Sequence, residues 1–378
     1  MLNKELSLDL YKKLFLSRRA EEYIVKHYPE NEMKCPMHMS LGQEAISVGV
    51  CHALKLKDKV FASYRSHSAF LAKTEDTDAF FAELYGRTTG TAQGKSGSMH
   101  LADPSKGYVV SSGIVGTCVP LAVGAAFANK YMQNNQVACV FFGDGALDTG
   151  VFWESLNVAC LMKLPVLFVV EDNGYAVNTP IHLRQSFKDI ADVASKFECN
   201  TWKENTTDVE IIYRLAVDSI ESIKTTEKPS LLHFKCYRYL EHVGIYEDFN
   251  AGYRPKSEYL EWHKRDCLVL QRNRLLSIGY TETDIEKVER LIDKQIKNSI
   301  KKAREAPYPE REELYWGVFY EGQWERCYPN CKDWWIMTVD GQIVTTCKES
   351  WGAGSCRDSP ASKKRQKGQG ETNDNDLL

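Results

Sequence analysis

The chain has 378 residues, 43% hydrophobic and 26% charged, a mixture that can bury a sizeable core and suits two or three ordinary domains or one large α/β domain with additions. Lysine and arginine total 48 against 51 acidic residues, and a formal charge of −3 excludes a surface built to coat nucleic acid. No stretch has the unbroken apolar length of a membrane span, since the longest uncharged run, Gly107 to Asn129, holds four glycines, a proline and several hydroxyls and reads as a buried loop and helix.

Ser7 to His27 reads as an amphipathic helix, with Leu10, Leu14, Phe15 and Ile24 near one face and Ser7 as its N-cap. The early acidic residues and the missing apolar h-region argue against a targeting segment, so a cytoplasmic location is expected. Gly42 to Leu54 is a second helix, small and apolar enough to be buried. Gly86 to Gly116 is glycine-rich and irregular. An irregular segment of that length is usually functional or disordered, and its hydrophobic residues argue against disorder.

The strongest pattern follows. Val137 to Phe142 is a continuous apolar run of buried-strand length ending at Gly143-Asp144-Gly145. A helix from Thr149 to Met162 leads to a second such run, Val166 to Val170, which ends at Glu171-Asp172-Asn173. This is a βαβ unit with a right-handed crossover, and Ser230 to Cys236 supplies a further strand. Lys256 to Glu305 is charged and helical. Eight cysteines, from Cys35 to Cys267, are scattered singly among apolar residues and should be reduced and buried.

Asp144 and Asn173 each stand just past the end of a parallel strand, where ligands of doubly wound sheets bind. Their side chains offer hard oxygens that, with a carbonyl and phosphate oxygens, suit Mg²⁺. Gly143 and Gly145 allow close backbone approach, and the amides of Gly145 and Ala146 can meet an anion near a helix start.

The string GDGALDTGVFWESLNVACLMKLPVLFVVEDNGYAVNTP, from 143 to 180, resembles the thiamine diphosphate signature, a GDG followed just under thirty residues later by an asparagine. With HMSLGQEA at 38–45, YRSH at 64–67, GKSGSMH at 94–100, GIVG at 113–116 and YRY at 237–239, residues 5 to 320 resemble the alpha subunit of the thiamine diphosphate-dependent 2-oxo acid dehydrogenases, of the pyruvate and acetoin dehydrogenase type. The resemblance implies an α/β thiamine diphosphate-binding fold, a parallel sheet flanked by helices with a helical N-terminus. It implies that Asp144, Asn173 and the backbone of Tyr175 hold Mg²⁺, and that Tyr64 and Arg65 reach the diphosphate with Gly145 and Ala146. Gly113 and Val115 would line the aminopyrimidine, Arg238 would contact the cofactor, and His38, His67 and His242 would be the active-site histidines. Where pyruvate-type members read YRYHGHS, residues 237–243 read YRYLEHV, which leaves the substrate open.

The same resemblance implies partners. Activating the cofactor takes a glutamate that normally comes from a second α/β domain, and the residues before the glycine-rich stretch read as helical instead. A beta subunit in an α₂β₂ heterotetramer would supply it. The expected reaction is oxidative decarboxylation of a small 2-oxo acid with acyl transfer to a lipoyl acyltransferase. The alternatives are an acetoin-cleaving or non-oxidative carboligase subunit and a non-catalytic paralogue.

Composition shifts near Pro309. Residues 1–321 read as the cofactor-binding domain, 322–356 as a Trp- and Cys-rich irregular extension, and 357–378 as a disordered tail. Cys327, Cys331, Cys347 and Cys356 could form a zinc site, although the spacing of the second pair is loose, or belong to a tryptophan-rich accretion.

Overall fold

The computed structural model describes residues 2–315 and, beyond them, three strands. The chain divides into two units, Met1–Pro309 and Glu310–Leu378. In the first, α1 (Lys4–His27) and α2 (Glu44–Ala53) precede β1 (Lys59–Ser63), α3 (His67–Thr74) and α4 (Thr77–Leu84). Then come β2 (Tyr108–Ser112), α5 (Cys118–Tyr131), β3 (Ala138–Gly143), α6 (Gly150–Leu161) and β4 (Val166–Asp172). A small hairpin, β5 (Tyr175–Ala176) and β6 (Thr179–Pro180), leads to α7 (Ile190–Ala194), β7 (Asn200–Glu204), α8 (Val209–Thr226) and β8 (Ser230–Lys235). Helices α9 (Lys256–His263), α10 (Cys267–Ser277) and α11 (Glu282–Glu305) close the unit.

Six parallel strands form one sheet in the order β2-β1-β3-β4-β8-β7. Alternate residues of each central strand feed two separate cores, as a strand's period of two requires. Cys139, Phe141, Leu167 and Val169 pack on the side of α1, α2, α8 and α11, whereas Ala138, Val140, Phe142 and Phe168 pack on the side of α5 and α6. Burial on both faces is why β3 and β4 are apolar throughout.

Several expectations are corrected. Asn3, not Ser7, caps α1, accepting a hydrogen bond from the Leu6 amide; the Ser7 hydroxyl instead donates to Glu210 at 2.5 Å. Strand β2 lies within the stretch read as irregular, and β1 and the edge strand β7 carry too few β-branched or aromatic residues to stand out. The charged segment from Lys256 is three helices, divided where Asp266 caps α10 and Thr281 and Asp284 form a capping box at α11. Of the eight singly placed cysteines, all are free, and Cys35 and Cys160 are only half-buried. Among the described residues no helix is long and apolar enough to cross a membrane.

The glycine-rich segment is held by one side chain. Glu83, at the end of α4 and 1% exposed, accepts hydrogen bonds from the amides of Ala92, Gly94, Ser96 and Gly97 at 2.8–2.9 Å and from the Ser96 hydroxyl at 3.0 Å. The loop therefore wraps a carboxylate, which compensates a buried charge with converging amide dipoles. Glu83→Gln turns one oxygen into a donor facing other donors, and a loss of about 2–4 kcal/mol is expected. Thermal unfolding and limited proteolysis between 86 and 101 check this; an unchanged midpoint would refute it.

In the second unit, β9 (Trp324–Arg326), β10 (Trp335–Val339) and β11 (Gln342–Cys347) form an antiparallel sheet in the order β11-β10-β9. Of the four C-terminal cysteines only Cys347, at the end of β11, has its backbone described; Cys327, Cys331 and Cys356, and with them the zinc reading, and residues 357–378, with the disordered reading, lie outside the described residues.

Candidate functional site

The chain leaves β1 for β2 on one side, then returns to place β3 on the other side of β1. The direction of winding reverses there, so the crevice beyond the carboxyl ends of β1 and β3 stays open. Tyr64 and Arg65 follow β1, Asp144, Gly145 and Ala146 follow β3, and Asn173 and Tyr175 follow β4. All seven line one cleft, with Val115 and His242. At Gly145 a Cβ would sit 3.1 Å from that of Ala176, so a side chain there would press the turn after β3 against the β5 strand.

Asp144 is 1% exposed. Its Oδ2 pairs with the Arg184 guanidinium, while Oδ1 is buried with no partner among the described residues. Burial, with Asp172 nearby, pushes its carboxyl up to about 6 against the pull of Arg184. Asn173 Oδ1 accepts a hydrogen bond from the Tyr175 amide at 3.1 Å, an Asx turn that holds the amide group at the strand end. A buried carboxylate oxygen lacking a donor is what a hard cation would satisfy, so these residues fit Mg²⁺.

Arg65 presents the opposite charge. It is buried, and its guanidinium donates to the carbonyls of Met39 at 2.7 Å and His242 at 2.9 Å. No carboxylate pairs with it among the described residues. Burial, and then Arg238, hold its pKa down to about 10, the mark of a cation short of negative charge. The cleft thus sets an unpaired cation near an unpaired carboxylate oxygen, an arrangement that suits a diphosphate bridged by a metal. His38 packs against Tyr64, ring centroids 4.5 Å apart, and edge-on to His242 at 5.4 Å. Burial and Arg65 lower His38 to about 3 and His242 to about 4, so both imidazoles are neutral at physiological pH.

Four expected residues, His38, His67, Arg238 and Gly113, are not among the residues that line the cleft. His67 is fully buried and away from the cleft lining, Nδ1 2.8 Å from Glu21 Oε1 and Nε2 2.7 Å from Ser98 Oγ. It ties the glycine-rich loop to α1. Arg238, 1% exposed, spends its donors on the carbonyls of Leu240 and Val177, on the Tyr253 hydroxyl and on Asp248. Through Val177 it braces the loop after Asn173. Gly113 faces His100, where a Cβ would lie 3.3 Å from Nε2. Sequence reasoning missed Gln43 and Glu171 on the cleft wall, although Glu171 stands at the end of the run already singled out. Burial pushes the Glu171 carboxyl up to about 8. Arg184 and Gln185, which reach Asp144, carried no motif at all.

The helix read as buried is buried on one face only. Leu121 and Phe127 of α5 are 46% and 47% exposed, and Val158 and Leu161 of the adjacent α6 are 40% and 78% exposed. Gly124 has open space where a side chain would be. Ile114 and Val115, just before α5, are also exposed, and Val115 lines the cleft.

The model of the dehydrogenase E1 component family matches residues 12–312. The alpha subunit of acetoin:2,6-dichlorophenolindophenol oxidoreductase from Bacillus subtilis is 34% identical over 322 residues, covering 84% of this chain and 95% of that one. The pyruvate dehydrogenase E1 component subunit alpha of Rickettsia felis is 33% identical over 317 residues, covering 84% and 96%. That of Zymomonas mobilis is 33% identical over 318 residues, covering 84% and 89%.

Proposed function

The chain belongs to the dehydrogenase E1 component family, and from that premise we propose that it is the alpha subunit of a thiamine diphosphate-dependent 2-oxo acid dehydrogenase. It decarboxylates a small 2-oxo acid jointly with a beta subunit and passes the acyl group to a lipoyl acyltransferase. The observation that carries this reading is the pairing, in one cleft, of the unpartnered Asp144 Oδ1 with the carboxylate-free guanidinium of Arg65.

Thiamine diphosphate, when bound, supplies the nucleophile and the electron sink for decarboxylation. The chain's residues bind and orient it. Asp144, Asn173 and the Tyr175 carbonyl would hold Mg²⁺, Arg65 and Tyr64 would attract the diphosphate, and Gly145 and Ala146 would offer amides to it. Neutral His38 and His242 stand beside Tyr64 as hydrogen-bonding groups able to accept a proton. The beta subunit covers the α5–α6 face, where Leu121, Phe127 and Leu161 are exposed, shuts the cleft from water and completes the site.

A second reading, cleavage of acetoin, is favoured by the Leu240-Glu241-His242-Val243 segment, which replaces the pyruvate-type sequence next to Arg65. One assay tests both. The chain, co-expressed with a beta subunit and supplied with thiamine diphosphate and Mg²⁺, is offered pyruvate, longer 2-oxo acids and acetoin with 2,6-dichlorophenolindophenol as electron acceptor. Dye reduction with a 2-oxo acid supports the first reading, reduction with acetoin alone the second, and none with any substrate refutes both.

A further inference from the structure

The loop after β4 carries more than the ligand Asn173. Hairpin β5–β6 folds it back, and the Ile181 amide donates to the Gly174 carbonyl at 2.8 Å, closing a ring of chain. That ring ends at Arg184 and Gln185, whose side chains reach across to the turn after β3. One arm of the Arg184 guanidinium pairs with Asp144 Oδ2, the other with Asp148 Oδ2, and Nε donates to the Thr179 carbonyl at 3.1 Å. Gln185 Nε2 donates to the Asp144 carbonyl at 2.9 Å and to Asp148 Oδ1 at 2.8 Å. Two consecutive side chains thus fasten both aspartates of one short turn and leave a single buried oxygen open, Asp144 Oδ1.

We propose that Arg184 is a positioning residue for the metal: by holding Oδ2 of Asp144 it fixes the carboxylate's rotation and presents Oδ1 to the cation, while latching the loop that bears Asn173 onto the strand end that bears Asp144. This rests on the reading of the cleft as a Mg²⁺–diphosphate site. The arrangement has a physical logic. A free carboxylate rotates and offers either oxygen, whereas a clamped one offers a single lone-pair direction, which suits the strict octahedron of Mg²⁺. The two aspartates would also repel one another without the guanidinium between them. The competing role for the same contact is that of a substitute cation, expelled when metal arrives; it differs in the sign of its effect on metal affinity.

The test uses the complex with the beta subunit, in wild type, Arg184→Ala, Arg184→Lys and Asp144→Ala forms. Mg²⁺ is titrated calorimetrically in the presence of saturating thiamine diphosphate, and the melting midpoint of each metal-free complex is recorded. Loss of a group that orients a ligand weakens metal binding by about 10–100-fold. Arg184→Ala should show that loss, and Arg184→Lys, which keeps one charged donor, should recover part of it. Unchanged Mg²⁺ affinity in Arg184→Ala, with a lowered midpoint or without one, overturns the proposal while leaving the site reading intact. Tighter Mg²⁺ binding in Arg184→Ala overturns it in favour of the substitute cation. If Asp144→Ala itself binds Mg²⁺ as wild type does, the site reading fails, and the proposal with it.

Discussion

Asp144→Ala is expected to abolish thiamine diphosphate binding at working concentrations without unfolding the protein. On the proposed reading, the substitution would remove the charged oxygen ligand of the metal through which the protein would hold the diphosphate. A cation at a transferring or bound phosphate group is worth several kcal/mol, so the affinity should fall by roughly 100-fold or more, about 3 kcal/mol. Stability should move the other way or not at all. Burial raises the Asp144 carboxyl to about 6, so its ionised form is disfavoured in the metal-free fold. Its folded pKa stands above the unfolded one, and metal-free stability at this group therefore falls as pH rises from about 4 to about 6. Alanine removes that cost, and Arg184 keeps Asp148 as a partner. Calorimetry should show lost binding beside a melting midpoint at pH 7.5 no lower than that of wild type. Wild-type affinity, or a collapse of the midpoint, would contradict the assignment.

A charge placed on the exposed helical face should break the assembly and spare the chain. Leu121, Phe127 and Leu161 make their side-chain surface available on α5 and α6 while the opposite faces of those helices fill the second core. Phe127→Asp and Leu161→Asp alter solvent-facing positions, so the folded chain should change by no more than about 0.5 kcal/mol. At an interface centre, loss of an apolar anchor costs about 2–4 kcal/mol, and a buried unpaired carboxylate adds to it. The double variant should elute from a sizing column without the beta subunit, give the circular dichroism spectrum of the native chain, and lack decarboxylase activity. If it co-elutes with the beta subunit as wild type does, this face is not the docking surface.

These two expectations draw on different kinds of information. Asp144 and Asn173 were readable because each ends a continuous apolar run, and strand length, chain direction and the position of a ligand all follow from such a run. The loop held by Glu83 was recognisable as too long and too apolar for disorder, but its cause was not. The partners of that carboxylate, Ala92 to Gly97, are ordinary residues whose amides converge only once the loop is folded. Strand β1, which supplies Tyr64 and Arg65, is too short and too mixed to declare itself, so those two residues were placed by resemblance and not by pattern.

What the sequence by itself determined was local: the βαβ unit, the positions of Asp144 and Asn173 at its strand ends, the charged C-terminal helices and the family. What only the tertiary structure decided was pairing across distance. His67 is bound by Glu21 and Ser98, 46 and 31 residues away. Arg238 turns its donors to the carbonyls of Val177 and Leu240, and Arg184 crosses 40 residues to reach Asp144. Helix 118–131, apolar all round in sequence, proves to bury one face and offer the other. A residue's type sets which hydrogen bonds and charges it can bring. Which partner answers it, and whether water or another chain covers it, depends on the packing of segments far apart in the chain, because burial and hydrogen-bond geometry are properties of the assembled fold.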